Sequence, residues 1–348
     1  MDLNSATLKK LYIHYTGNKN EELPFRLSRK KTDLGEDTMP LQLVEFYLRP
    51  FMKSQEFYTF HHPTNLKYNE LYSFVSDIFD NPDNLKKISG DITEHLYEKS
   101  SHPKIRPGEL HLAFFTGCNI EEENTEVLGI FKTESKTSFL KINQADNTYD
   151  LNFDEGIPPS GGFDKGCLIF NTGKKEGYKL VLLDNQSKAG EAQYWKDDFL
   201  KVKACADDFH LTKNYMSLCK EFVTKGLPQD FETTKTEQID LLNRSAEYFK
   251  KNHAFEEKEF TKAIFDDAAV TKSFRNFKND FAEQNNLDIE DNFAVSTAAV
   301  QKQVKVFKSV LKLDRNFHIY IHGDRQLIEK GVDSNGKKFY KIYYEKEV

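Results

Sequence analysis

Residues 165–223 read KGCLIFNTGKKEGYKLVLLDNQSKAGEAQYWKDDFLKVKACADDFHLTKNYMSLCKEFV. Two short apolar runs, 167–170 and 178–183, flank a Gly/Lys turn that holds Gly173 and Gly177, the pattern of a β-hairpin. A polar turn at 184–190 leads into a short amphipathic helix that carries Tyr194, Trp195, Phe199 and Leu200. In the next helix Leu211, Tyr215, Leu218, Cys219 and Phe222 recur at i, i+4, i+7, i+8 and i+11, which puts them on one face. Both helices are expected to lay that face on the hairpin and to form the core of a first domain. The stretch carries no catalytic signature.

Working back toward residue 1, strand-like and helical patterns alternate. Residues 8–15 read as a strand, with 24–28 as its hairpin partner. Residues 37–54 read as a helix with Pro40 in its first turn and Pro50 near its end. A short strand at 56–61 and helices at 69–79 and 82–99 follow. Strands are expected at 109–118, 127–132, 138–143 and 149–153, with an acidic loop at 121–126. Together they predict one mostly antiparallel sheet packed with helices, an α+β fold.

Gly226, Leu227 and Pro228 followed by a polar run read as a linker. Two domains are therefore expected, 1–225 and 226–348. The second begins with helices at 237–251, 256–265 and 271–284. It ends in a small antiparallel β-meander at 304–313, 316–322 and 339–344, with Asp333-Ser334-Asn335-Gly336 as a hairpin turn.

The 348 residues include 29 Phe and one Trp, so Phe and Tyr must fill much of the core. A net charge of −6 argues against a protein that coats nucleic acid by bulk charge, so any such surface must be a local patch. Cys118, Cys167, Cys205 and Cys219 form no CxxC pair, and three of them sit in apolar runs as small hydrophobes. With no signal peptide read, a reducing cytoplasm is the expected compartment. No run reaches the ~20 apolar residues of a membrane span.

No P-loop, GxGxxG, GxSxG, HExxH or EF-hand pattern is present. Glycines at 156–162 lack the GK[ST] of a phosphate cradle. Asp184 with Lys188 in LLDNQSK offers a divergent metal-dependent nuclease, but the middle ligand position holds Gln186; a capped strand-to-helix turn is the favoured reading. His61 with His62 and His318 with His322 lack further ligands for a metal. No catalytic residue, metal site or cofactor is expected.

From Gln301 onward eleven basic residues face six acidic ones, with aromatics interleaved. Lys302, Lys305, Lys308, Lys312, Arg315, Arg325, Lys337, Lys338 and Lys341 are candidates to neutralise phosphates, beside aromatics able to stack on bases. The lysines at 302, 305 and 308 line one face if that stretch is helical instead of a strand. Arg26, Arg29, Lys30 and Lys31 form a second basic segment, which also fits a solvated sheet edge.

The helix at 191–200, the helix LTKNYMSLCKEFV at 211–223 and the segment NFHIYIHGDRQLIEKG at 316–331 together resemble the bacterial nucleoid-associated protein family of the YejK/NdpA type. The resemblance covers most of the chain and rests on core and turn residues. It implies a non-enzymatic, sequence-tolerant DNA-binding protein of the cytoplasm and nucleoid, with double-stranded DNA as partner and a homodimer as its form. The net charge of −6 keeps an alternative open, an adaptor that recruits or regulates a DNA enzyme such as a topoisomerase or a defence-system component.

Overall fold

A computed structural model describes residues 1–348 except 36–37, 122, 146–147, 159–161, 186–193, 286, 288, 305–306, 308–309, 314–316, 321–326, 345 and 347–348. The fold is α+β, and the chain divides into two compact units, Met1–Cys205 and Ala206–Val348.

The first unit is built on strands β1 (Thr7–Thr16), β2 (Phe57–Phe60), β3 (Gly108–Ile120), β4 (Glu123–Thr133), β5 (Thr137–Ala145), β6 (Thr148–Gly156), β7 (Lys165–Phe170), β8 (Lys179–Asp184) and β9 (Val202–Ala204). Seven of them form one sheet in the order β1-β3-β4-β7-β8-β2-β9, every pairing antiparallel. The helices are α1 (Thr38–Leu48), α2 (Glu70–Asp80) and α3 (Leu85–Lys99). Strand β1 forms a sheet edge. Its expected partner near 24–28 forms no strand with it: the two meet through a bridge between Tyr15 and Arg26 and through the Ser28 N–H, which donates to His14 Nδ1 at 3.0 Å. Residues 123–126 of the expected acidic loop instead begin β4, so β3 and β4 run long.

Side chains alternate across a strand, and here both alternations are buried. Leu110, Leu112, Phe114, Leu128, Ile130 and Ile169 face helices α2 and α3. Ala113, Phe115, Val127, Phe131, Leu168 and Phe170 face Tyr47 and Leu48 of α1, with Phe51 and Phe163. A sheet covered on both faces needs nearly continuous apolar strands, which is how 110–115 and 167–170 read. The π-helical turn Tyr194–Leu200 closes the first face with Trp195, Phe199 and Leu200, as expected.

His111 lies in the α1-facing core. Its Nδ1 is 2.9 Å from the Tyr47 hydroxyl and its Nε2 is 3.1 Å from Thr133 Oγ1. Burial pushes its pKa down to about 4. The unfolded chain thus binds more protons than the folded one between that value and the ordinary 6.5. The stability this neutral ring contributes is complete above pH 6.5 and is lost as pH falls toward 4, about 3 kcal/mol across the window. Urea unfolding of the full chain between pH 7 and 4 should show this slope, and His111→Gln should flatten it. An identical slope in the variant would refute the assignment.

The second unit holds α4 (Asp208–Glu221), α5 (Leu227–Asp230), α6 (Lys235–Lys251), β10 (Ala254–Glu256), α7 (Glu257–Ile264), α8 (Ala268–Asn285), β11 (Asn292–Ala294) and α9 (Thr297–Val304). Four short strands close it: β12 (Val310–Leu313), β13 (Phe317–Tyr320), β14 (Ile328–Val332) and β15 (Lys338–Ile342). Its core is aromatic. The ring of Tyr215 lies within 6.3 Å of the rings of Phe249, Phe255, Phe260, Phe274 and Phe293.

That core displaces two expectations. The helix expected at 211–223 belongs to the second unit, where Tyr215, Leu218, Cys219 and Phe222 bury themselves with Phe249, Phe255 and Phe274. The division therefore falls between Cys205 and Ala206, where the expected domains were 1–225 and 226–348. Residues 226–228 continue the helix from the π-helical turn Phe222–Gly226 into α5. Pro228 directly follows the π-helical turn, and a widened turn of that kind accommodates a residue that cannot donate an N–H. Of the stretch expected as a strand at 304–313, Val304 ends α9 and Val310–Leu313 form β12.

Candidate nucleic-acid interface

The candidate cations fall into groups. Lys302 sits exposed on α9 with its ammonium 5.7 Å from the centre of the Phe209 ring. Lys312 is placed by its backbone in β12, opposite His318. Lys305, Lys308, Arg315 and Arg325 lie outside the described residues. Lys337, Lys338 and Lys341 are brought together on one element, the antiparallel ribbon of β14 and β15.

The ribbon pairs Ile328 with Ile342, Glu329 with Lys341, Lys330 with Tyr340, Gly331 with Phe339 and Val332 with Lys338. Its closing loop forms as the DSNG signal predicts. The Asp333 carboxylate accepts the backbone N–H of Asn335 (2.9 Å) and Lys337 (2.8 Å), and Gly336 takes φ +79°, the left-handed position such loops reserve for glycine. Strand β14 lay in the expected connection, because Glu329, Lys330 and Gly331 interrupt any apolar alternation there.

One ribbon face is anchored: Ile328 and Tyr340 pack with Leu313 and Ile319 against buried Ile239. Lys330 and Lys338 extend from that face toward the loop, where Lys337 is also exposed. On the opposite face the Phe339 ring covers Gly331, where a Cβ would sit 2.3 Å from the ring. Lys341 lies on this second face. Its ammonium is 4.6 Å from the centre of the Tyr343 ring, and its hydrogen bond to Tyr343 raises its pKa, so it stays charged. Phe339, Tyr343 and Tyr344 are all exposed. The ribbon thus presents four lysines against two carboxylates, Glu329 and Asp333, with aromatic rings between them. Lys330 belongs to this set although it was not among the selected candidates; its strand was not foreseen.

Arg26, Arg29, Lys30 and Lys31 belong to the first unit and are exposed there. Arg26 exchanges backbone hydrogen bonds with Tyr15 (2.8 and 2.9 Å) and stacks its guanidinium 5.1 Å above that ring.

The sites considered for other chemistry are otherwise engaged. Asp184 ends β8, and both of its carboxylate oxygens accept from Lys165 Nζ, at 3.0 and 3.1 Å. Gln186 and Lys188 lie outside the described residues, as does His322. His61 and His62 line an open cleft with Glu98, Asp197 and Asp198. Among the described residues no group of three or more His, Cys, Asp or Glu side chains could hold a metal ion. Among them, too, no helix is long and apolar enough to cross a membrane.

A charged cluster that the sequence did not signal lies in the second unit. Buried Glu257 accepts from Tyr215 OH (3.3 Å), Arg275 Nε (3.2 Å) and Lys278, which also reaches Asp291. Burial opposes the charge on Lys278, but its hydrogen bonds to Asp291 and Glu257 outweigh this and raise its pKa. The partners come from separate elements, so no local spacing reveals them. The cluster ties α7, α8 and the start of β11 together.

The family model described as nucleoid-associated protein YejK matches residues 13–337 of the chain. A comparison with curated proteins gave no match.

Proposed function

We propose that this chain, which belongs to the nucleoid-associated protein YejK family, acts there as a non-enzymatic, sequence-tolerant binder of duplex DNA. The observation that carries the reading is the β14–β15 ribbon, with Lys330 and Lys338 exposed on one face, Lys341 beside Phe339 and Tyr343 on the other, and Lys337 exposed at the loop between them. Residues 301–348 hold eleven basic groups against six acidic ones in a chain of net charge −6. Charge is thus concentrated where the ribbon is, and a local patch of this kind attracts phosphates whatever the total. Ammonium groups on flexible stems touch the backbone and read no base edges, so the binding tolerates any sequence. The protein works as a homodimer, which doubles a modest surface.

Titration of full-length protein onto two unrelated duplexes across a salt series tests this. Roughly micromolar affinity at low salt is expected, equal for both duplexes. The log–log slope against salt should lie near −3 to −4, since each neutralised phosphate contributes about −0.9. Undetectable binding at low salt would overturn the reading. Lanes with Mg²⁺ should show uncut DNA, and shortened products would instead revive a nuclease centred on Asp184.

A second reading, an adaptor that holds a DNA enzyme at the chromosome, draws support from the net charge and from an exposed apolar surface on the first unit. It predicts a salt-insensitive protein complex and weak DNA binding by the isolated chain.

A further inference from the structure

Strands β5 and β6 pair only with each other and stand apart from the seven-stranded sheet. Cross-strand pairs share a face, so Leu140 with Phe153, Ile142 with Leu151, and Gln144 with Tyr149 all point one way. Five of these six are large apolar side chains, and they are open to solvent: Leu140 49%, Ile142 62%, Tyr149 68%, Leu151 64% and Phe153 82% exposed. None belongs to any of the described cores. The other face is polar around Phe139, with Lys141, Asn143, Asp150, Asn152 and Asp154.

The root of this hairpin is firmly held. The Asp164 carboxylate accepts the backbone N–H of Glu134 (2.5 Å) and Ser135 (3.0 Å), and Lys136 Nζ is 2.6 Å from Glu109 Oε1. A two-stranded hairpin with no packed face is at best marginally stable in water. An anchored hairpin with one largely apolar face therefore calls for a covering surface.

We infer that the apolar face of β5–β6 is the homodimer interface, packed face to face against the same face of a second copy about a two-fold axis near Ile142 and Leu151. The inference rests on the homodimer reading above and is independent of DNA binding. Three observations select this occupant. From Leu140 to Tyr149 the face carries no charge; its one carboxylate, Glu155 opposite Ser138, stands at the root of the hairpin away from the axis, so nothing at the centre repels an identical face. From the exposures, it offers roughly 600–700 Å² per copy, so two copies bury roughly 1,300 Å², above the ~1,000 Å² a specific interface needs. The apolar face offers a phosphate backbone no cation, and Glu155 at its root would repel one, so DNA does not suit it as the cover.

Sedimentation equilibrium of the full chain from low to high micromolar concentration tests the inference. Three proteins are compared: the unaltered chain, Leu151→Lys with Phe153→Lys, and the outer-face control Phe139→Lys. The unaltered chain and the control should have the mass of two chains. The double variant should have the mass of one, with its thermal melt preserved because neither side chain serves a core. The milder Ile142→Asn should raise the dimer Kd at least tenfold, and this keeps the test open should the double variant fail to fold. A single-chain mass for the unaltered protein at high micromolar concentration would overturn the homodimer reading and the interface with it. Two-chain masses for every variant would overturn the interface and leave the homodimer standing. Dissociation by Phe139→Lys would overturn the assignment of the face.

Discussion

Changing Lys337, Lys338 and Lys341 to Glu together is expected to lower affinity for duplex DNA by about 10²–10³-fold near physiological salt. The magnitude follows from counterion release. Each phosphate that is no longer neutralised takes about 0.9 from the salt slope, or about 0.7 in log K at ~0.15 M salt. Three phosphates give about 10²-fold, and three introduced carboxylates add repulsion at the same place. The slope itself should become shallower by about 3, a signature that misfolding would not produce. Folding should be unaffected: all three side chains are exposed, and the ribbon is anchored through Ile328 and Tyr340, which the variant keeps. Changing Arg29, Lys30 and Lys31 to Glu, in the first unit, separates the two candidate surfaces. A decrease of tenfold or less is expected there, because those residues follow the solvated edge strand and carry no aromatic platform of their own. Competition titrations against a labelled duplex read both variants. Affinity of the ribbon variant within threefold of the unaltered chain would remove the ribbon from the interface.

The sequence made the sheet of the first unit legible for a physical reason. Burial on both faces turns β3, β4 and β7 into near-continuous apolar runs that survive any uncertainty of register. The hairpin loop at 333–336 was legible because few residue types fit its left-handed position. The unit boundary was not. Gly226 and Pro228 carry the signals of a linker, yet the helical run accommodates both at its π-helical turn. The apolar stripe of 211–222 was visible, but a stripe states that a face is buried and not against what; the Phe-rich partners come from 249–293. Of the candidate interface, the lysines could be selected from composition. Their grouping could not, because Lys330 belongs to a strand with no alternation. The apolar face of β5–β6 read as ordinary sheet, since alternation looks the same whether or not anything covers it.

Lys132→Met is expected to destabilise the first unit by about 3–5 kcal/mol, the range for removing one partner of a buried ion pair. Lys132 belongs to β4, and its side chain is wholly buried. Its ammonium has three protons and three acceptors: the Arg106 carbonyl at 2.6 Å, Glu134 Oε1 at 2.8 Å and the Tyr194 hydroxyl at 3.2 Å. The neighbouring Lys165 lies across the ladder, and the two ammonium groups approach the Tyr194 ring at 5.6 and 5.3 Å. Burial lowers the pKa of Lys132, so its charge is held at a cost that the three acceptors offset. A methionine fills the stem's volume but leaves the Glu134 carboxylate, only 5% exposed, with the Tyr194 hydroxyl (3.1 Å) in place of an ion partner. The destabilisation is therefore electrostatic and not a cavity. That distinction fixes the control: Lys132→Met combined with Glu134→Leu removes both charges, and such replacements are often neutral or better. The double variant should recover most of the stability, with a coupling energy of about 2–3 kcal/mol in a double-mutant cycle. Urea unfolding monitored by fluorescence of Trp195, the single tryptophan and a core residue of this unit, reads the first unit selectively. A single variant within about 1 kcal/mol of the unaltered chain, or a double variant no more stable than the single, would show that the pair is not what holds this end of the sheet.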